Sequence, residues 1–211
     1  MMAEILATYV VGRLVEKTEG KKKKAVLVIF LIFSFLMLGV FKYADLLSET
    51  INKLAGREIL TLLKLPLPIG ISFYIFQSVS YGIDVYRGKY PAEKNFARLA
   101  LYVSFFPQLI AGPIVRFDVV RDKLISRAHS FEGFSEGIFR ICIGLGKKVL
   151  LADRLFAFCE AAGGAPSVLL SWVEGFAYFL YVYFDFSGYS DMAIGCAKFF
   201  GFDVGKNFDH P

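Results

Sequence analysis

Three stretches of this chain carry no charged side chain: residues 25–41, 65–83 and 99–115, of 17, 19 and 17 residues. At about 1.5 Å rise per residue, the shortest of them makes about 26 Å of helix, close to the ~30 Å hydrocarbon core of a bilayer. In lipid a backbone has to satisfy its own hydrogen bonds, so each window is expected to be helical. The sequence as a whole points the same way. It is 56% apolar and only 20% charged, where a soluble domain has about 25% charged residues. That balance excludes a disordered chain and a disulfide-stapled secreted module. The net charge of +5 suits cytoplasmic flanks and lipid headgroups, and no nucleic-acid partner is expected. The expected class is an all-α, multi-pass transmembrane helical bundle with broken or re-entrant helices, placed in the inner membrane of the cell.

The windows differ in quality. Residues 25–41 contain one Ser and one Gly, and the cluster Lys21 to Lys24 abuts them, so a spanning helix with a cytoplasmic N-terminal flank is predicted. Residues 65–83 open Leu65-Pro66-Leu67-Pro68-Ile69-Gly70, which predicts a broken first turn or a helix beginning at Pro68. Residues 99–115 carry Pro107, Gln108, Gly112 and Pro113. A kink at Pro107 and an end at Gly112-Pro113 are expected. Broken helices at membrane depth are tolerated inside protein or beside a water-filled cavity, so these two segments read as pocket-facing. Residues 1–20 predict a short amphipathic helix. Residues 131–161 are interrupted by Arg140, Lys147, Lys148, Asp153 and Arg154, too many charges for a lipid-exposed span, and predict an interfacial or re-entrant helix. Gly163-Gly164-Ala165-Pro166 reads as a linker.

No phosphate loop, nucleophile elbow, zincin motif or dinucleotide fingerprint occurs. Cys142, Cys159 and Cys196 form no C-x-x-C and read as buried reduced thiols. His129 and His210 lie in polar segments and read as exposed loop residues, and no metal site is expected. The most informative pattern is Glu174, Tyr178, Tyr181 and Asp185, whose offsets of four, three and four residues place them on one helix face. Carboxylates in a span are costly unless they face the bundle interior. The next element, Tyr183 to Asp191, contains Ser187 and Gly188 and predicts a helix break. Asp185 or Asp191 either caps the helix after it or lines a polar pocket.

These segments resemble a known family. Phe105-Phe106-Pro107-Gln108-Leu109-Ile110-Ala111-Gly112-Pro113-Ile114-Val115-Arg116 resembles a signature of bacterial membrane-bound O-acyltransferases, in the branch of the alginate O-acetyltransferases and their teichoic acid D-alanyl transferase relatives. Leu67 to Gln77, Tyr183 to Gly195, Gly201 to Phe208 and Gly39 to Asp45 resemble the same family. The resemblance runs from about residue 12 to the end and implies one partial domain over 1–211. It implies a helical bundle pierced by a tunnel, and transfer of an acyl group, an acetyl group in this branch, to hydroxyls of an exported polysaccharide. The family's catalytic His lies in a Trp- and Arg-rich stretch just beyond the Asn207-Phe208 segment. The resemblance therefore implies a central fragment with no catalytic residue in this chain. Gln108, Arg116, Glu174, Tyr181, Asp185, Ser187, Tyr189 and Asp191 are the candidates for lining the substrate pocket. An acyl donor of unidentified nature is implied, with no covalently bound cofactor. The implied partners are the bilayer, a polysaccharide acceptor and exported acetylation proteins. A transporter or channel-like protein, or a non-catalytic truncated membrane protein, are the competing readings.

Overall fold

The computed structural model describes residues 1–109, 112, 115–163 and 167–208. These residues are helical with no strand among them, as an apolar chain of this patterning requires. The helices are α1 (Met2–Lys17), α2 (Gly20–Ala55), α3 (Ile71–Tyr86), α4 (Phe96–Val103), α5 (Phe117–Ile125), α6 (Phe131–Gly146), α7 (Asp153–Ala162) and α8 (Val168–Phe199). A 3-10 turn occupies Phe106–Gln108, and a π-helical turn, Lys147–Ala152, joins α6 to α7. The chain divides into two compact units, Met1–Ile110 with Arg116–Asp118, and Ala111–Val115 with Val119–Pro211.

In the first unit α2 is 36 residues long, about 54 Å at the helical rise, longer than a bilayer core. Its most apolar 18-residue window has a mean hydropathy of 2.6, and only 17% of it is buried by protein. A core helix of a soluble protein would hide such a surface, and a lipid-facing one leaves it open. Among the described residues α2 is the one helix long and apolar enough to cross a membrane by these criteria. The other two windows do not form continuous spans. α3 begins at Ile71, three residues past Pro68, after Gly70, whose left-handed backbone (φ +72°) ends the Pro-rich approach. The helix expected across 99–115 is not kinked at Pro107 but already over: α4 is eight residues long, and its Ser104 hydroxyl donates back to the Ala100 carbonyl. Pro107 then sits inside the 3-10 turn, because the residue before a proline is disfavoured in helical geometry. The predicted stop at Pro113 lies outside the described residues.

α1 is helical as expected but does more than lie at an interface. It packs along α2 and α3 and buries Ile5 and Val15. The unit's densest core is aromatic. Phe117 meets Tyr81, Tyr90 and Tyr102 at ring centroids of 5.0, 5.3 and 5.1 Å.

The second unit is an antiparallel pair. α6, the π turn and α7 run continuously and pack along α8. Glycine sets the spacing. A Cβ on Gly195 would lie 2.5 Å from the Gly137 carbonyl oxygen, and one on Gly144 would lie 2.4 Å from the Gly188 carbonyl oxygen. Gly137 and Gly144 are seven residues apart, as are Gly188 and Gly195, so two turns of each helix bring small residues into backbone contact. This corrects the expected break at Gly188. α8 passes through it unbroken for 32 residues, since the glycine is used for close approach rather than for a turn. Asp185 and Asp191 are therefore mid-helix residues and cap nothing. Cys142 is exposed, against expectation, while Cys159 is buried and Cys196 half-buried. His129 is exposed in a loop. His210 and most of the 163–166 linker lie outside the described residues.

Candidate functional site

The first unit holds a buried amide pair. Gln108, 1% exposed, follows Pro107 in the 3-10 turn, and Gln77, also 1% exposed, lies on α3. Gln77 Nε2 donates to Gln108 Oε1. An amide in an apolar interior costs several kcal/mol if left without a partner, so each side chain is the condition for the other's burial. Gly70 makes this approach possible. A Cβ there would lie 2.2 Å from the Leu109 carbonyl oxygen, so any side chain would push the Gln108 turn off the start of α3. Arg116, the other candidate in this unit, is exposed. A second buried polar contact joins α1 to α2. Glu4 is fully buried and accepts from the Ser34 hydroxyl at 2.8 Å, and the Thr8 hydroxyl donates to the Glu4 main-chain carbonyl at 2.7 Å. Ser34 lies in the charge-free window of α2.

The remaining six candidates, Glu174, Tyr181, Asp185, Ser187, Tyr189 and Asp191, all lie on α8 in the second unit. The stripe expected from Glu174 to Asp185 does share a face, and that face meets the opposing helix. Tyr181 packs on Phe156 of α7 at 5.0 Å between centroids and on Tyr178 at 5.7 Å. The Asp185 carboxylate accepts from Lys148 Nζ at 2.6 Å, and the same ammonium reaches Asp153 at 2.9 Å. Asp191 is held more tightly. Its two oxygens take Arg140 Nε at 3.0 Å and Lys147 Nζ at 2.7 Å, and its side chain is 13% exposed. Lys147 and Lys148 both reach α8 from the π turn, whose wider i→i+5 winding rotates successive residues less about the axis than an α-helix does.

Three of the five charges that made 131–161 look too polar for a span, Arg140, Lys147 and Lys148, are thus the partners of the carboxylates on α8. Ser187 and Ser190, each 1% exposed, lie on the packed face, and neither hydroxyl has a hydrogen-bond partner among the described residues. Glu174 and Tyr189 are half-buried. Beside Asp191, residues of α6 and α8 together with Lys206 and Phe208 line an open cleft of about 390 Å3.

Reading along the chain did not single out Gln77, Glu4, Arg140, Lys147 or Lys148 as site residues. Gln77 and Glu4 carried a signal, since each is a polar side chain in an otherwise apolar helical stretch. The three cations carried none, because their partners are 37 to 51 residues away. Among the described residues no group of three or more metal-ligating side chains is assembled.

The described residues are helical without strands, and one of the helices is long, apolar and largely uncovered, as suits a lipid solvent. Residues 92–209 match the family model of the membrane-bound O-acyltransferases, and the chain belongs to that family. The probable alginate O-acetylase of Pseudomonas putida is 44% identical over 83% of this chain and 37% of its own length. The corresponding protein of Pseudomonas aeruginosa is 42% identical over 88% of this chain and 36% of its own. The peptidoglycan O-acetyltransferase of Helicobacter pylori is 31% identical over the whole of this chain and 46% of its own length. The chain thus spans less than half the length of these relatives.

Proposed function

We propose that this chain is part of a multi-pass inner-membrane O-acyltransferase that places acetyl groups on hydroxyls of an exported polysaccharide. The observation that carries this reading is the match of residues 92–209 to the family, taken with 42–44% identity to alginate O-acetylases over most of the chain. In the reaction the acceptor hydroxyl oxygen attacks the acyl carbonyl carbon. A base takes the hydroxyl proton, and the donor's bond to the acyl carbon breaks as the new ester forms. Donors aimed at the carbonyl oxygen stabilise the charge that develops there. The described residues contribute the frame for this chemistry: a buried amide pair that ties a broken helix to α3, and an ion-paired seam that fixes α8 against α6. Gln108, Arg116, Ser187, Tyr189 and the α8 carboxylates are proposed to line or support the acceptor path. The exported acetylation partners belong to the same proposal.

The test is deletion of the gene that encodes the chain, followed by measurement of alkali-labile acetyl ester in the exported polysaccharide. Loss of ester, restored by the intact gene, is expected. Unchanged ester content in the deletion overturns the reading.

A further inference from the structure

We infer that the N-terminal end of α2 and the helix ends beside it form a binding surface for the headgroups of anionic phospholipids. The inference goes beyond the transferase reading and needs only that α2 crosses the bilayer. Three helices of the first unit end together here. Thr18 and Glu19 alone separate α1 from α2, so Lys17 lies beside the start of α2. α3 runs antiparallel to α2. A Cβ on Gly82 would lie 2.8 Å from Phe30 Cε1, the Phe76 and Phe35 rings meet at 6.5 Å, and Lys23 Nζ lies 5.2 Å from the centroid of the Tyr86 ring. This end presents Lys17 on α1, Lys21 to Lys24 on α2, and Arg87 at the C-cap of α3. Lys23 is half-buried and the others are exposed. Neighbouring acids are used elsewhere: Glu16 pairs with Arg13, Asp84 with Lys89 and Glu93 with Arg98. That leaves Glu19 against six cations, none of which forms an ion pair among the described residues.

α2 puts these charges at headgroup depth. Lys24 directly precedes the charge-free window 25–41 and lies about 14 Å along the helix from its midpoint, near the edge of a ~30 Å hydrocarbon core. The opposite end of α2 is balanced, since Lys42 and Lys53 are interleaved with Asp45 and Glu49. The charge at the first end also runs against the helix. A helix N-terminus is the positive end of its dipole and favours anions. α2 has no acidic residue in its first turn and no side-chain cap, but four lysines instead. Phosphodiester anions offset both the dipole and the repulsion among the lysines. The cations are spread over three helix ends, with the Tyr86 ring among them at the interface. That arrangement suits a layer of headgroups already concentrated at this depth, rather than a single soluble ion. Each Lys or Arg near an anionic surface is worth about fivefold in association, ~1 kcal/mol.

The experiment uses the whole protein that contains this chain, in phosphatidylcholine nanodiscs doped with spin-labelled phosphatidylglycerol or spin-labelled phosphatidylcholine. The fraction of each label immobilised on the protein gives the preference for the anionic lipid. At low salt the parent should prefer phosphatidylglycerol at least about fivefold, the worth of one cation, and high salt should screen most of that preference. A variant carrying Lys21→Gln, Lys22→Gln, Lys23→Gln and Lys24→Gln should lose most of it. Lys17→Gln with Arg87→Gln leaves the α2 flank intact, decides the matter if the first variant does not insert, and should lower the preference about twofold. Lys42→Gln with Lys53→Gln, at the balanced end of α2, should leave it unchanged. No preference in the parent, an unchanged preference in the Lys17 and Arg87 variant, or an equal loss in the Lys42 and Lys53 variant would each overturn the assignment. Inorganic phosphate that abolishes the preference where sodium chloride of equal ionic strength does not would assign the surface to a soluble anion and overturn it as well. Lipid association is read without turnover, so failure of the transferase reading leaves this result standing by itself.

Discussion

Replacing Gly144 by alanine tests whether backbone contact between α6 and α8 organises the second unit. The new Cβ would lie 2.4 Å from the Gly188 carbonyl oxygen, 2.8 Å from Met192 Cγ and 2.9 Å from the Met192 nitrogen, where ordinary contact begins at 3.4 Å. Two of these three atoms are helical backbone and cannot rotate away. The helices must therefore part by about 1 Å, the shortfall of 3.4 − 2.4 Å. Parting them also loosens the Gly137–Gly195 contact two turns away and stretches the Lys147–Asp191 bridge from its 2.7 Å. Overpacking of this kind costs about 1–3 kcal/mol, and the backbone contacts favour the upper end. Gly146 is the internal control. It is also helical, but nothing lies within 4 Å of a Cβ there, so Gly146→Ala should gain about 0.5–1 kcal/mol from helix propensity alone.

The two variants, two residues apart, should thus differ by about 2–4 kcal/mol in opposite directions from the parent. Thermal unfolding of the whole protein in mild detergent should place Gly144→Ala below the parent and Gly146→Ala at or above it. Adding Gly188→Ala should cost less than it does alone, because the helices have already parted. A Gly144→Ala protein that melts at or above Gly146→Ala refutes the reasoning, and with it the tight glycine seam.

Three further outcomes follow from the same geometry. Gln77→Leu or Gln108→Leu alone strands a buried amide and should cost about 1–3 kcal/mol, while the double variant should cost clearly less than the sum; additive losses in a thermal melt would show that the pair does not depend on each other. Asp191→Asn leaves Arg140 and Lys147 facing each other in a half-buried seam and should cost about 2 kcal/mol, whereas Asp185→Asn, whose pair is 38–39% exposed, should cost about 1 kcal/mol or less; equal losses would contradict the burial difference. The buried Tyr90 hydroxyl has no hydrogen-bond partner among the described residues, and burial, then the Asp84 charge, pushes its phenol well above the ordinary 10.0. Its folded pKa exceeds its unfolded one, so its contribution is fully present below about pH 10 and is lost as pH rises beyond that. Tyr90→Phe should be near-neutral at pH 7 and should flatten the alkaline fall in thermal midpoint; an unchanged alkaline profile would assign the fall elsewhere.

Much of this protein was legible along the chain, and the reason is local. A run of 17 uncharged residues beside four lysines admits little but a helix in lipid, so α2 follows from length and hydropathy. The helical register of Glu174, Tyr178, Tyr181 and Asp185 follows from a 3.6-residue period, and the need of Gln108 for a partner follows from the cost of an unsatisfied amide. What local chemistry could not decide was continuity and partnership. Gly188 is a helix breaker by propensity, yet α8 runs through it because Gly144 meets it across the seam, and no property of residues 183–191 alone announces that. Pro107 predicted a kink where the helix had ended four residues earlier. Arg140, Lys147 and Lys148 looked like charges that keep residues 131–161 out of the membrane, and only the antiparallel packing of α6 on α8 turned them into counter-ions for Asp185 and Asp191. Propensity and hydropathy act over a few residues and can be read in one dimension. Ion pairing and backbone contact act through space, between positions tens of residues apart, and exist only once the helices have docked.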